Sequence, residues 1–305
     1  MTVRSLPRRL ELPVAASSET ATRLLAAARS ERWRDPIWLG LILLAVLGAF
    51  LTVSRLLAWW ELGGWPPHDA AAHWLAGVHL REGSQIYGNW SGGVQYLIFL
   101  WAPPWAVVFA IISVVPLEMY AAAVFVASVA SLRYVAGSWV ASGILAIHPI
   151  IFDNLAIGNI DLLIAAVVLA TLRGLAPAGA AAALVSFAKF SPVLALSRRT
   201  VRSALVGGIA AVAITIPWAH LWPEWLAMIG ALRDSSFVVV PILPRVPLVL
   251  ALMWLRRPWA TAAAVGLATP ALYFHSLVLF LPAARLFFAG RSARLGETVR
   301  GPQLA

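Results

Sequence analysis

The stretch PIWLGLILLAVLGAFLTVSRLLA, residues 36–58, decides the fold class. Its 23 residues hold one ionisable side chain, Arg55. A helix of that length crosses the ~30 Å hydrocarbon core of a bilayer. Residues 1–35 are polar and carry Arg4, Arg8, Arg9, Arg23, Arg29, Arg32 and Arg34. Arginine accumulates on the cytoplasmic side of a span, so this tail is expected inside. Ser17 or Ser18 would cap a surface helix within it, and a disordered tail is the alternative. No small-residue cleavage site follows the apolar run, so it is expected to remain as a membrane anchor.

The rest of the chain reads the same way. Of 305 residues, 61% are hydrophobic and 12% charged, and the mean hydropathy is +0.83; a soluble domain of this composition would have too little polar surface. Apolar runs follow at about 95–115, 118–132, 134–152, 160–175, 178–197, 201–217, 240–255, 258–271 and 272–289. The expectation is an all-α, polytopic integral membrane protein of roughly ten transmembrane helices. Several runs fall short of the ~20 residues of a straight crossing, so they are tilted or are half-helices lining a cavity. Boundaries follow: a cytoplasmic basic tail at 1–35, a membrane domain at 36–289 with an external loop at 59–94, and a cytoplasmic tail at 290–305. The formal charge is +10, but the arginines cluster at span ends as topology determinants, so no nucleic-acid partner is expected. There is no cysteine, which removes thiolate chemistry and disulfides.

Counting spans puts the loops 59–94 and 218–240 outside and both termini inside. Arg133 and Arg173 then fall outside, against the positive-inside rule. A re-entrant hairpin broken at Pro103-Pro104 would reverse the middle spans.

The loop after the first span is rich in tryptophan: Trp59, Trp60, Trp65, Trp74 and Trp90. Residues Asp69–Glu82 read as a short interfacial helix ended by Gly83. Asp69 would cap it, or serve as a general base at a membrane–water boundary. His73 lies one turn on, where it can orient Asp69 or tune its pKa. His68, Asp69 and His73 also make a weak metal-binding pattern. His275 sits in an apolar run, either packed or functional. Lys189 either snorkels from a span end or holds a phosphate. Asn159 and Asp161 open a helix as cap and dipole partner. Arg81, Arg233 and Arg245 are external cations able to bind a phosphodiester.

Several of these residues recur in a familiar order. Asp69, Gly83 and Tyr87 are spaced by fourteen and four residues. Leu100-Trp-Ala-Pro-Pro104, Gly158-Asn-Ile-Asp-Leu-Leu163, Ala188-Lys-Phe-Ser-Pro192 and Thr269-Pro-Ala-Leu-Tyr-Phe-His275 follow. Over about residues 60–285 the set resembles glycosyltransferase family 87, polyprenol-phosphate-mannose-dependent mannosyltransferases of bacterial envelopes. Asn159 stands where that family has Gln, Asp161 where it has Asn, and His73 where it has Tyr.

The resemblance implies a GT-C-like bundle that moves a sugar, mannose or another hexose or pentose, from a polyprenyl-phosphate donor to a hydroxyl of an envelope glycolipid or glycan. Asp69 and His275 would be catalytic, with no metal or cofactor. His73, Tyr87, Asn159, Asp161, Lys189, Arg233 and Arg245 would bind substrate. The alternative is a non-catalytic membrane protein, either a lipid-linked-sugar carrier or an assembly subunit. No Walker motif, Gly-rich nucleotide loop or Asp-x-Asp pattern occurs, so a nucleotide-sugar donor is not expected.

Overall fold

Proline and glycine punctuate this chain, and the helices obey them. A computed structural model describes residues 68–87, 99–232, 242–270, 272–273 and 275–299, which belong to one unit of the chain, Leu51–Ala305. The first span, the basic tail and Arg233 lie outside the described residues, as do Trp59, Trp60, Trp65 and Trp90. Among the described residues the fold is all-α, with no strands. The helices are α1 (His68–Glu82), α2 (Pro103–Ile112), α3 (Leu117–Ala136), α4 (Trp139–Ala146), α5 (Pro149–Ala156) and α6 (Asp161–Leu172). Next come α7 (Ala176–Lys189), α8 (Val201–Ala213), α9 (Leu221–Leu232), α10 (Val246–Trp254), α11 (Pro258–Leu267) and α12 (Leu281–Val299). A proline stands in the first turn of α2, α5, α7, α10 and α11, where its missing N–H has no helical partner to lose.

These elements fall on the apolar runs read from sequence, but most are shorter. Among the described residues one helix, α3, is long and apolar enough to cross a membrane; α4 and α5, bent by 86° at Ile147-His148, pass the same test as a pair. Helix α12 runs on to Val299, through the boundary expected at residue 289. Outward faces are apolar: Val206 and Ile209 on α8 and Leu250 and Trp254 on α10 are exposed.

Helix α1 packs on α2 through small residues. A Cβ on Gly77 would lie 2.1 Å from the Phe109 carbonyl oxygen, so only glycine permits this approach. Arg81 donates to the Ser113 carbonyl and Trp74 Nε1 to that of Val115, which ties the exit of α2 to α1. The entry of α2 is held by α7: the Ala102 N–H donates to the Phe187 carbonyl at 3.0 Å. Phe99, Trp101, Trp105, Phe109 and Tyr120 form one aromatic cluster beneath α1.

Helix directions give the bundle two unlike ends. Helix α3 leaves the aromatic cluster at Tyr120 and carries Arg133 in its last turn. Helix α6 begins at Asp161 and is followed by Arg173. Helix α7 returns and ends at Lys189. Residues 190–200 lead back to the start of α7, where Gly179 meets the Thr200 carbonyl. Helix α8 then climbs parallel to α7, with Gly207 against Ala180. Trp259 meets Phe287 at 5.5 Å, and Gly266 meets Phe280, so α11 and α12 are antiparallel. Thus Asp69, Asp161 and Lys189 share one end, and Arg133, Arg173, Arg199 and Arg285 share the other. Helix α2 has both ends on the Asp69 side of the bundle: Ala102 meets Phe187 near the close of α7, and Val115 meets Trp74 of α1.

Candidate active site

Three segments far apart in sequence meet at the first turn of α1. The N–H groups of Asp69 and Ala70 donate to the Ile157 carbonyl at 2.8 and 3.3 Å. That carbonyl belongs to the turn between α5 and α6, where Gly158 adopts φ +69°. The turn presents Asn159, whose Nδ2 donates to Asp69 Oδ2 at 2.6 Å. The Asn159 Oδ1 accepts the Asp161 N–H at 2.8 Å. One amide therefore ties the first residue of α6 to the carboxylate of α1. This corrects the capping expectation for Asp69: the helix opens at His68, and the Asp69 carboxylate is turned toward Asn159 and His68. His68 Nδ1 lies 3.1 Å from Asp69 Oδ1.

The Asp69 side chain keeps 23% of its exposure. Burial pushes its pKa up; the His68 hydrogen bond, the nearby His73 and His275, and the Asn159 amide outweigh that and leave it below the usual carboxylate value. It is ionised at neutral pH, the form that accepts a proton.

Beneath Asn159 the polar groups are buried. Asp161 is 0% exposed, and its Oδ2 accepts from Lys189 Nζ at 2.7 Å. The same ammonium donates to Ser276 Oγ at 2.9 Å. Lys189 is therefore buried, and its charge is neutralised inside the bundle by Asp161. Phe190, next in sequence, takes φ +41°, a region costly for a side chain with a Cβ, and this sharp turn ends α7 at the lysine. Asp161 Oδ1 and Asn154 Oδ1 are buried acceptors without a hydrogen-bond partner among the described residues.

His275 opens the 3₁₀ turn His275–Phe280. Its Nδ1 lies 3.9 Å from Asp153 Oδ2, and its ring stacks on Tyr273 at 5.3 Å. It is within electrostatic reach of Asp69, Asp161 and Lys189.

Six of the residues singled out from sequence thus converge: Asp69, His73, Asn159, Asp161, Lys189 and His275. His73 does so from below. Its ring is 3.9 Å from Trp101 and stacked on Phe109 at 5.1 Å. Burial pushes its pKa down to about 4 against the pull of Asp69 and Asp161, so the ring is neutral. Among the described residues no three His, Asp or Glu side chains are placed to hold a metal; His68 meets Asp69, whereas His73 stacks in the aromatic cluster with its Nδ1 buried and unpartnered there.

Tyr87 and Arg245 stand apart from the cluster. Tyr87 is buried and donates to the Trp101 carbonyl at 2.8 Å. Arg245 is buried and donates to the carbonyls of Leu267, Thr269 and Pro270, clasping the chain where α11 stops. Ser276, Asn154 and Asp153 complete the cluster without a prior signal beyond their adjacency to His275 and Gly158.

Comparison with protein-family models, curated proteins and solved structures gave no match.

Proposed function

We propose that this chain is a polytopic membrane glycosyltransferase with a GT-C-like bundle of about ten spans, acting at the extracytoplasmic face. The donor is a polyprenyl-phosphate sugar, mannose first among the candidates. The acceptor is a hydroxyl of an envelope glycolipid or glycan. One observation carries the reading: an ionised carboxylate, Asp69, at the accessible edge of a buried polar centre that holds Lys189 and His275. A polar centre inside an apolar bundle is costly to assemble and marks function by default.

In this reading Asp69 accepts the proton of the acceptor hydroxyl as its oxygen bonds to the anomeric carbon. The carbon–oxygen bond to the donor phosphate breaks on the opposite face, and polyprenyl phosphate leaves with the electron pair. One displacement inverts the anomeric centre. His275 hydrogen-bonds the phosphate or the hydroxyl. Lys189, paired with Asp161 and bonded to Ser276, holds the polar centre together beneath the reacting groups.

The rival, a non-catalytic carrier or assembly subunit, draws on the closed Asp161–Lys189–Ser276 lock, which would serve a purely structural core equally well. Purified protein in vesicles with radiolabelled polyprenyl-phosphate mannose separates the two. Asp69→Asn keeps size and acceptor geometry but removes basicity, and transfer should fall roughly 10²–10⁴-fold. Near-native transfer by Asp69→Asn would return the residue to structure.

A further inference from the structure

The end of the bundle opposite Asp69 carries four arginines with no carboxylate partner among the described residues. The Arg285 guanidinium fills the space where a Cβ on Gly137 would stand, at 2.4 Å. Arg133, one turn earlier on α3, lies over the Trp139 ring at 5.5 Å. Arg173 lies over the Tyr134 ring at 5.2 Å, and Arg199 rests on Gly174 with Cδ at 3.4 Å from its Cβ position. The four guanidiniums therefore form one run across the ends of α3 and α6 and the starts of α7 and α8.

No carboxylate pairs with any of them among the described residues; the acids of α3 and α6, Glu118 and Asp161, sit at the far ends of their helices. The carbonyl ends of α3 and α6 contribute about half a negative charge each, which leaves most of the positive charge in place. Like charges so grouped repel one another unless an anion joins them.

We infer that this arginine run binds the phosphate headgroup of an anionic membrane lipid. The run is edged by apolar surface: Trp139 is 67% exposed and Leu175 51% exposed. A tryptophan beside cations is the pattern of a headgroup-level belt. A free phosphate would leave that apolar edge in water, whereas a lipid covers it with its own acyl chains. The arginine fork also suits phosphate oxygens, which it can meet with two parallel bonds. The inference rests on the membrane placement proposed above and not on sugar transfer.

The test uses the full chain reconstituted in vesicles of phosphatidylcholine alone or with phosphatidylglycerol. Retained lipid is counted by native mass spectrometry and the thermal midpoint is followed. The expected result is selective retention of phosphatidylglycerol and a higher midpoint in its presence, both weakened by salt. Arg173→Gln/Arg199→Gln should lower the apparent affinity roughly tenfold, and Arg173→Lys/Arg199→Lys should retain part of it. If the double glutamine variant does not insert, Arg199→Gln alone, at an exposed position, reads the same loss. Equal retention of both lipids, or a glutamine variant that keeps the preference, overturns the inference. So does an equal shift by inorganic phosphate in phosphatidylcholine vesicles. A wild-type chain that alkali strips from the vesicles overturns the membrane placement as well. One that stays inserted without lipid preference overturns only this site.

Discussion

Asp69 and His73 lie one helical turn apart, and their settings make opposite demands on protons. His73 is neutral in the folded chain because burial holds its pKa near 4, against 6.5 for a free imidazole. Between those values the unfolded chain binds more protons than the folded one, so stability falls as pH drops. The thermal midpoint should decline from about pH 6.5 to about pH 4, with a loss of up to roughly 3 kcal/mol. His73→Phe should flatten that window; an unchanged slope would assign the titration elsewhere. The contribution of Asp69 has its own window. Its folded pKa is depressed, so its stabilisation is present above the ordinary carboxylate value and is lost only at lower pH. Asn159→Asp separates two functions of one amide. It keeps an oxygen for the Asp161 N–H, removes the donor to Asp69, and adds a like charge. The acid limb of the pH–transfer profile should move up by about one unit or more; an unmoved limb would mean that Asp69 is not the titrating base.

At the scale of elements, the ties between helices decide what may change. Lys189→Met leaves the Asp161 charge buried without its partner, a loss of about 3–5 kcal/mol. Adding Asp161→Asn to that variant should recover part of it, read by thermal denaturation in detergent. Gly77→Ala drives a methyl group into the Phe109 carbonyl and should cost about 1–3 kcal/mol by forcing α1 off α2. The helices themselves were legible in sequence, because an apolar run between proline and glycine punctuation is a local signal. So were Asn159, Asp161, Lys189 and His275, as polar residues beside or within apolar runs, and Asp69, as an acid opening a helix in the polar loop. Their pairing was not, since the Asn159–Asp69 and Lys189–Ser276 bonds join residues 90 and 87 positions apart. Periodicity and capping rules act within a few turns and cannot see such contacts. Arg245 misled for the same reason: an exposed cation and a backbone clasp have one composition and differ only in tertiary context. The count of spans left Arg133 and Arg173 on the same side as Asp69 unless the chain turned back at Pro103-Pro104; in the fold they stand at the end of the bundle opposite Asp69, because α2 carries enough apolar residues to read as a crossing while both its ends lie near α1 and the close of α7.

For the whole molecule, the segregation of arginines from Asp69 makes topology directly testable. The chain has no native cysteine, so single cysteines report without background. A cysteine at Ser84 should react with an impermeant reagent from outside, and one at Ala176 only after the membrane is opened; the reverse pattern would invert the proposed orientation. Helix α6 has a further consequence, because it carries Asp161 at one tip and the arginine run at the other. Its 12 residues are about 18 Å long at 1.5 Å per residue, while a bilayer's hydrocarbon layer is about 30 Å thick. With the arginines at headgroup level, the polar centre lies roughly 12 Å short of the opposite headgroups. The reacting groups would then meet in a recess sunk below the lipid surface. Under the proposed function, depth itself becomes a selection rule: an acceptor tethered to a lipid would lower its hydroxyl into that recess, and a freely diffusing sugar would have to shed its water to follow.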